Sequence, residues 1–296
     1  MSKLEDLALA LAESKNTELL LKLALAEDIG SGDVTTQATV PAGKRATAKI
    51  VARQDGVVCG FPILNRVIQL AGADLEMTVH TFEGATVQNG VTMATITGAA
   101  DAILTLERTL LNFLQRLSGI ATVTQVYVRA ANSDSTQLLE TRKTIPGWRG
   151  LDKYAVLAGG GSNHRLGLFD QILAKENHFA VIDAAGFAEK LERLKKQAPD
   201  GVKIQVEVEN LEEFRAALRA GIELILLDNM SPELMAEAVA ERNEANSTAL
   251  LEASGGINLD TIAKVAKSGV DRISVGALTH SVPAFDLSLL VEHEEG

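Results

Sequence analysis

The chain has one cysteine, Cys59, in 296 residues, which rules out an intrachain disulfide and any zinc site built from several thiolates. Such sparing use fits a reducing compartment, with Cys59 as buried filler. A membrane-spanning run is also missing. The longest charge-free stretch, 84–100, is interrupted by Gly, Thr, Gln and Asn. There is no excess of positive charge: 28 Lys and Arg stand against 39 Asp and Glu, a net charge of −11, which disfavours nucleic acid or anionic lipid as the main partner. The N-terminus is striped with leucine but punctuated by Glu5, Asp6, Glu13 and Glu18, unlike a secretory signal, so a cytoplasmic protein is expected. No GxSxG, Walker or HExxH motif occurs, which removes the common hydrolase, NTPase and zinc-protease readings.

What is present is ordinary globular material, 46% hydrophobic and 23% charged, enough for one large α/β domain or two smaller ones. Residues 3–14 and 17–27 have leucines at helical spacing. The Gly30-Ser31-Gly32-Asp33 run that follows reads as a helix-ending turn, because a dinucleotide fingerprint would follow a strand. Alternation at 46–58 and 75–81, helical spacing from Phe61 to Leu70, and turn signals at Glu83-Gly84 and Asn89-Gly90 predict an α+β region with a meandering antiparallel sheet. Between 101 and 117, Ile103, Leu106, Leu110, Leu114 and Leu117 form one apolar stripe, and Arg108, Asn112 and Gln115 fall off it.

Beyond 120 the period changes. Short apolar strands at 138–139, 204–208, 224–227, 249–252 and 272–275 alternate with amphipathic helices, the pattern of a parallel sheet in a closed or nearly closed β/α barrel. The expected class is therefore α/β: an N-terminal α+β sandwich domain at 1–117, possibly completed by 282–296, and an incomplete β/α barrel at 118–281. Ligands of such barrels sit at the strand C-terminal ends. Glu207 and Asp228 occupy those ends, as do the turns Ser254-Gly255-Gly256 and Val275-Gly276-Ala277 from the last strands, where phosphate is frequently held by backbone N–H groups.

One stretch goes against the acidic balance. From Glu140 to His178, Arg142, Lys143, Arg149, Lys153, Arg165 and Lys175, with His164 and His178, face only Glu140, Asp152, Asp170 and Glu176. A single such arginine is ordinarily solvated surface. Arg-Lys, Gly-Gly-Gly, Asn-His-Arg and Lys-Glu-Asn-His within 39 residues point instead to an anion pocket opposite two carboxylates. Barrel plus lysine alone also permits a Schiff-base lyase using Lys143 or Lys175, or a non-catalytic anion-binding relative.

The string TRKTIPGWRGLDKYAVLAGGGSNHRLGLFDQILAKENH resembles the signature segment of quinolinate phosphoribosyltransferases. The likeness extends to EDIGSGDVTT at 27–36, ERTLLNFLQRLSGIAT at 107–122, VEVENLEE at 206–213, LILLDN at 224–229, SGGIN at 254–258 and SVGALTHS at 274–281. Ala174 departs from it, where a larger aliphatic residue is expected. The resemblance implies transfer of phosphoribosyl from phosphoribosyl pyrophosphate to quinolinate with loss of CO2 and pyrophosphate, in NAD biosynthesis. It also implies that Thr141, Arg142, Lys143, His164 and Arg165 hold quinolinate, together with Arg108 from a neighbouring subunit of a homodimer or a larger assembly of dimers. Lys175 would meet the pyrophosphate or ribose phosphate. Glu207 and Asp228 would face the ribose and a substrate-bound Mg2+, and residues 254–256 and 275–277 the 5′-phosphate. Lys143, Lys175, Glu207 and Asp228 are the implied catalytic set.

Overall fold

The computed structural model describes residues 3–182 and 184–292. In chain order, α1 (Lys3–Ala12), α2 (Lys15–Ile29) and α3 (Val34–Thr39) precede β1 (Arg45–Ala52), β2 (Gly56–Val57) and α4 (Phe61–Ala71). Then come β3 (Leu75–Val79), β4 (Thr86–Val87), β5 (Thr92–Ala99), the long α5 (Ala100–Ala131), β6 (Gln137–Leu139) and α6 (Arg149–Ala158). The remainder runs β7 (Ile172–Ala174), α7 (Glu176–Ala180), α8 (Phe187–Gln197), β8 (Ile204–Val208), α9 (Leu211–Arg219), β9 (Leu224–Asp228), α10 (Pro232–Glu244), β10 (Leu250–Ser254), α11 (Ile262–Lys267), β11 (Arg272–Ser274), α12 (Ala277–His280) and β12 (Leu287–Val291). No helix among the described residues is long and apolar enough to cross a membrane.

Two compact units emerge. The first takes the chain up to Gln125, Thr144–Gly160 and everything from Leu278; the second takes Val126–Lys143 and Gly161–Ala277. In the first, the Gly30–Asp33 run is a helix-to-helix turn as expected: Gly30 closes α2, and Asp33 caps α3 by accepting from Thr36 N–H at 2.9 Å. The sheet is antiparallel, in the order β12-β1-β5-β3. It is no meander, because β1 sits between β5 and the C-terminal β12. Alternate residues Ala48, Ile50 and Ala52 turn inward, and α4 buries Ile63, Leu64, Val67 and Ile68. Each of these Ile, Leu and Val side chains contributes about 1.5–3 kcal/mol.

Residues 144–160 group with this first unit for a physical reason. Trp148 stacks on Phe113 of α5 at 4.7 Å, and Arg116 of α5 makes a bidentate pair with buried Asp152 of α6 at 3.0 and 2.7 Å. One cation of the stretch is thereby structural, since Lys153 is buried on α6.

The second unit is a six-stranded parallel sheet in the order β6-β11-β10-β9-β8-β7. Strand β7 was not legible from the pattern: it is three apolar residues between Gln171 and Lys175. Register puts Glu207, Leu226 and Glu252 in one row across β8, β9 and β10, with Asp228 and Ser254 two residues nearer the C-terminal edge. Polar groups therefore line one face of an otherwise apolar sheet.

Candidate active site

The second unit gathers its functional side chains at the C-terminal ends of the parallel strands. After β6 the chain turns through Thr141, whose Oγ1 accepts from Lys143 N–H at 3.1 Å. The segment 161–165 returns beside β6, with Ser162 N–H donating to Leu138 O at 2.7 Å. This return brings Arg165 within electrostatic range of Arg142. Burial first, and then the Arg142 charge, pulls the Arg165 guanidinium below its ordinary basicity. Arg142 Nε and Arg165 Nε are both buried without a hydrogen-bond partner. Unmatched buried donors on two like-charged groups are costly, and an anion between them would satisfy both. The other Arg165 contact is internal, Nη1 to Gln171 O at 3.0 Å.

His164 is anchored rather than open. Its backbone N–H donates to buried Glu140 at 3.1 Å, its Nδ1 accepts from Arg165 N–H at 2.7 Å, and its Nε2 lies 3.2 Å from Glu252. The resemblance implies that His164 helps to hold quinolinate, and in the structure its ring nitrogens also contact Arg165 N–H and Glu252.

The ends of β8 and β9 carry an acidic rim. Glu207 on β8 meets Lys175 Nζ at 3.1 Å and accepts from Glu176 N–H at 3.4 Å. Asp228 ends β9, and burial, followed by the neighbouring Glu207 charge, raises its carboxyl above the usual range. Beside Glu207 a cavity of about 300 Å³ is lined by Glu176, Phe179, Phe187, Lys190, Glu209 and Glu213. Crowding by Glu176 raises Glu209 as well. Two carboxylates this close favour a cation near them, and hard oxygen donors suit Mg2+ held through its own waters and a substrate phosphate. Among the described residues no cluster of three metal-ligating side chains exists that would hold a metal unaided.

The turns expected to hold phosphate stand side by side, since β10 and β11 are neighbours. Ser254-Gly255-Gly256 is locked by a residue sequence reading passed over. Asn229, at φ 53°, donates its N–H to Ser254 O at 2.9 Å and its Nδ2 to Asp228 at 2.6 Å. Gly255 is obligatory there: at φ 92° a Cβ would lie 2.2 Å from Asn229 Oδ1. In the second turn Val275 is buried with its N–H on Leu139 O at 2.9 Å, Gly276 is half-buried, and Ala277 opens α12. Arg108 belongs to the first unit, on the polar side of α5, with 60% of its side chain exposed and Glu107 no nearer than 3.9 Å.

Also passed over were Gln171, Gln205 and Glu252, which form a buried chain. Gln171 donates to Gln205 at 2.7 Å, and Gln205 to Glu252 at 3.0 Å. Burial opposes ionisation of Glu252, yet contacts with His164, Gln205 and Ser274 hold it below the usual carboxylate value. The available signal was polar residues at i and i+2 in apolar strands, Gln205 with Glu207 and Glu252 with Ser254.

A parallel β/α unit that carries both cationic residues and carboxylates at its strand ends has the makings of an enzyme that handles polyanions. Comparison with known proteins narrows the class. Family models described as quinolinate phosphoribosyl transferase, N-terminal domain and C-terminal domain, match residues 33–118 and 120–290. A carboxylating nicotinate-nucleotide pyrophosphorylase of Mycobacterium leprae is 43% identical over 272 residues, 91% of this chain and 95% of that one. A probable one from Bacillus subtilis is 39% identical over 270 residues, 91% of each. The solved structure of the Francisella tularensis nicotinate-nucleotide pyrophosphorylase superposes with a TM-score of 0.87 at 39% identity, covering 95% of this chain and 99% of that one. The chain belongs to the quinolinate phosphoribosyltransferase family.

Proposed function

We propose that the protein transfers the phosphoribosyl group of phosphoribosyl pyrophosphate to quinolinate, forming nicotinate mononucleotide, CO2 and pyrophosphate in NAD biosynthesis, in the cytoplasm. The observation that carries this reading is the pair of buried, unmatched Nε donors on Arg142 and Arg165. A pyridine with two adjacent carboxylates supplies the acceptors they lack.

In this reading Arg142, Arg165, Thr141 and Lys143 grip the dicarboxylate while His164 steadies Arg165. The Ser254–Gly256 and Val275–Ala277 turns hold the 5′-phosphate, and Lys175 meets the pyrophosphate. The quinolinate ring nitrogen attacks C1′ as the C1′–O bond breaks, and pyrophosphate leaves with the electron pair. Glu207 and Asp228 face the ribose and stabilise its developing positive charge. Glu207 and Asp228 would hold a substrate-bound Mg2+, directly or through its waters, and the ion would supply charge to offset that of the leaving pyrophosphate. The quaternised ring nitrogen then stabilises the electron pair left at the adjacent carbon when CO2 departs, and a proton from water completes the product. No dedicated base is required.

Arg108, exposed and without a close partner, is supplied to the site of a second copy in a homodimer or an assembly of dimers. An assay of nicotinate mononucleotide from quinolinate and phosphoribosyl pyrophosphate tests the reading, with product expected in Mg2+ and lost in excess chelator. Full turnover in chelator would remove the metal from the scheme. Mixing inactive Arg108→Ala and Lys143→Ala chains should restore part of the activity through hybrid dimers with one intact site. No rescue after verified subunit exchange would mean that each site is built from one chain.

A further inference from the structure

Buried and half-buried polar groups of the second unit close into a ring. Gln171 Nε2 donates to Gln205 Oε1 at 2.7 Å, Gln205 Nε2 donates to Glu252 Oε2 at 3.0 Å, and Glu252 Oε1 lies 3.2 Å from His164 Nε2. His164 Nδ1 accepts from Arg165 N–H at 2.7 Å, and Arg165 Nη1 donates to Gln171 O at 3.0 Å, back at the start. Gln205 is fully buried and Glu252 is 1% exposed. Because Nδ1 accepts a backbone N–H, the ring's own proton sits on Nε2, facing Glu252. That contact has the distance but not the alignment of a full hydrogen bond, so Glu252 Oε1 is the weakest joint of the ring. A buried carboxylate with one oxygen so loosely met is costly for stability alone.

We propose that Glu252 is a positioning residue for Arg165, acting through His164 on one oxygen and through Gln205 and Gln171 on the other. The inference rests on the assignment of Arg165 to the quinolinate pocket. Its logic is directional. Arg165 is tied at its backbone N–H and at Nη1, both through this ring, while its Nε is left unmatched for a ligand. A guanidinium tied at Nη1, on a backbone that is itself held, loses less freedom on gripping a carboxylate, which strengthens binding without adding a contact. Glu252 also meets Ser274, next to the Val275–Ala277 turn, but its path through His164 on one oxygen and Gln205 and Gln171 on the other leads to Arg165, so the larger effect belongs to quinolinate.

The test compares Glu252→Leu with Glu252→Gln, reading the quinolinate Kd by calorimetry, the KM for phosphoribosyl pyrophosphate, and the thermal midpoint. Glu252→Leu removes both acceptors and should weaken quinolinate by about tenfold or more, a change of about 1.4 kcal/mol per tenfold. Glu252→Gln keeps an acceptor for His164 and should lose only a few-fold, with the KM for phosphoribosyl pyrophosphate within about twofold in both. Lowered thermal midpoints with wild-type quinolinate Kd would overturn the inference and leave Glu252 a core group. So would equal weakening of both substrates. A crystal structure of Glu252→Leu, or of Gln205→Leu should the first not fold, gives a readout that needs no substrate. The Arg165 Nη1 to Gln171 O contact is lost if Glu252 positions Arg165 and kept if it does not. Failure of the wild-type protein to bind quinolinate would contradict the pocket assignment itself, a result separable from this structural readout.

Discussion

Two buried carboxylates, one in each unit, set structure against function. Glu83 accepts the N–H groups of Gly60, at 3.1 and 2.9 Å to its two oxygens, and of Phe61 at 2.7 Å, and it takes the Tyr154 hydroxyl proton in a short hydrogen bond. It thereby caps α4 and ties α6 to it, with every oxygen served. Glu252 is more deeply buried, yet one of its oxygens has no aligned donor. Their acidities diverge accordingly. Burial pushes Glu83 above the ordinary value of 4.5, despite its hydrogen bonds, whereas contacts with His164, Gln205 and Ser274 hold Glu252 below it. Burial of a charge is therefore no mark of function by itself; the informative feature is where unmet hydrogen-bonding capacity points. At Glu83 it is closed off, and at Glu252 it runs through His164 toward Arg165.

The comparison breaks most visibly at Arg165. Arg165→Ala should weaken quinolinate by roughly 2–5 kcal/mol, the loss expected when a desolvated charge pair loses one member. The thermal midpoint should barely move; a calorimetric loss below about tenfold would place the dicarboxylate elsewhere. The converse holds at Glu83. Glu83→Leu should cost roughly 2–3 kcal/mol of stability by stranding the Gly60 and Phe61 N–H groups, measured by denaturant unfolding. Both substrate KM values should stay at wild type, and a change in either would give Glu83 a role in the site.

The smallest effect is in pH. A raised carboxyl binds its proton more tightly folded than unfolded, so the Glu83 contribution falls as pH rises from 4.5 toward its folded value. Glu252 is lowered, so its contribution is present above 4.5 and is lost as pH falls from there toward its folded value. Relative to wild type, Glu83→Gln should therefore gain thermal midpoint with rising pH above 4.5, and the penalty of Glu252→Gln should shrink with falling pH below it. Slopes of the same sign in both variants would erase the distinction.

Much of this was readable in the sequence because short-range patterns carried it. The apolar stripe from Ile103 to Leu117 is buried and Arg108 lies off it, and Glu207, Asp228 and the 254–256 turn occupy strand ends as their spacing required. What escaped depends on distant partners. Helix α5 continues to Ala131 through Ser118 and Gly119, residues that read locally as a break. Tertiary packing holds it there: a Cβ on Gly159 would lie 2.3 Å from Ala121 O, so the bare glycine lets the chain approach the helix backbone. The 282–296 segment was named as a completion of the first domain, but that its strand β12 pairs with β1 is announced by no local pattern. Gln205 and Glu252 were visible as polar residues in apolar strands and Asn229 as one just past a strand end, but only register shows that Glu207 and Glu252 share one row.

The central claim is that Arg142 and Arg165 leave two buried donors for a second carboxylate. Its most direct test is kcat/KM for quinolinate and for nicotinate, which lacks the carboxylate beside the ring nitrogen, at saturating phosphoribosyl pyrophosphate and Mg2+. A pocket that strands polar groups against the smaller acid should favour quinolinate by about 10⁴, and comparable values would contradict the dicarboxylate pocket and indicate a monocarboxylate transferase.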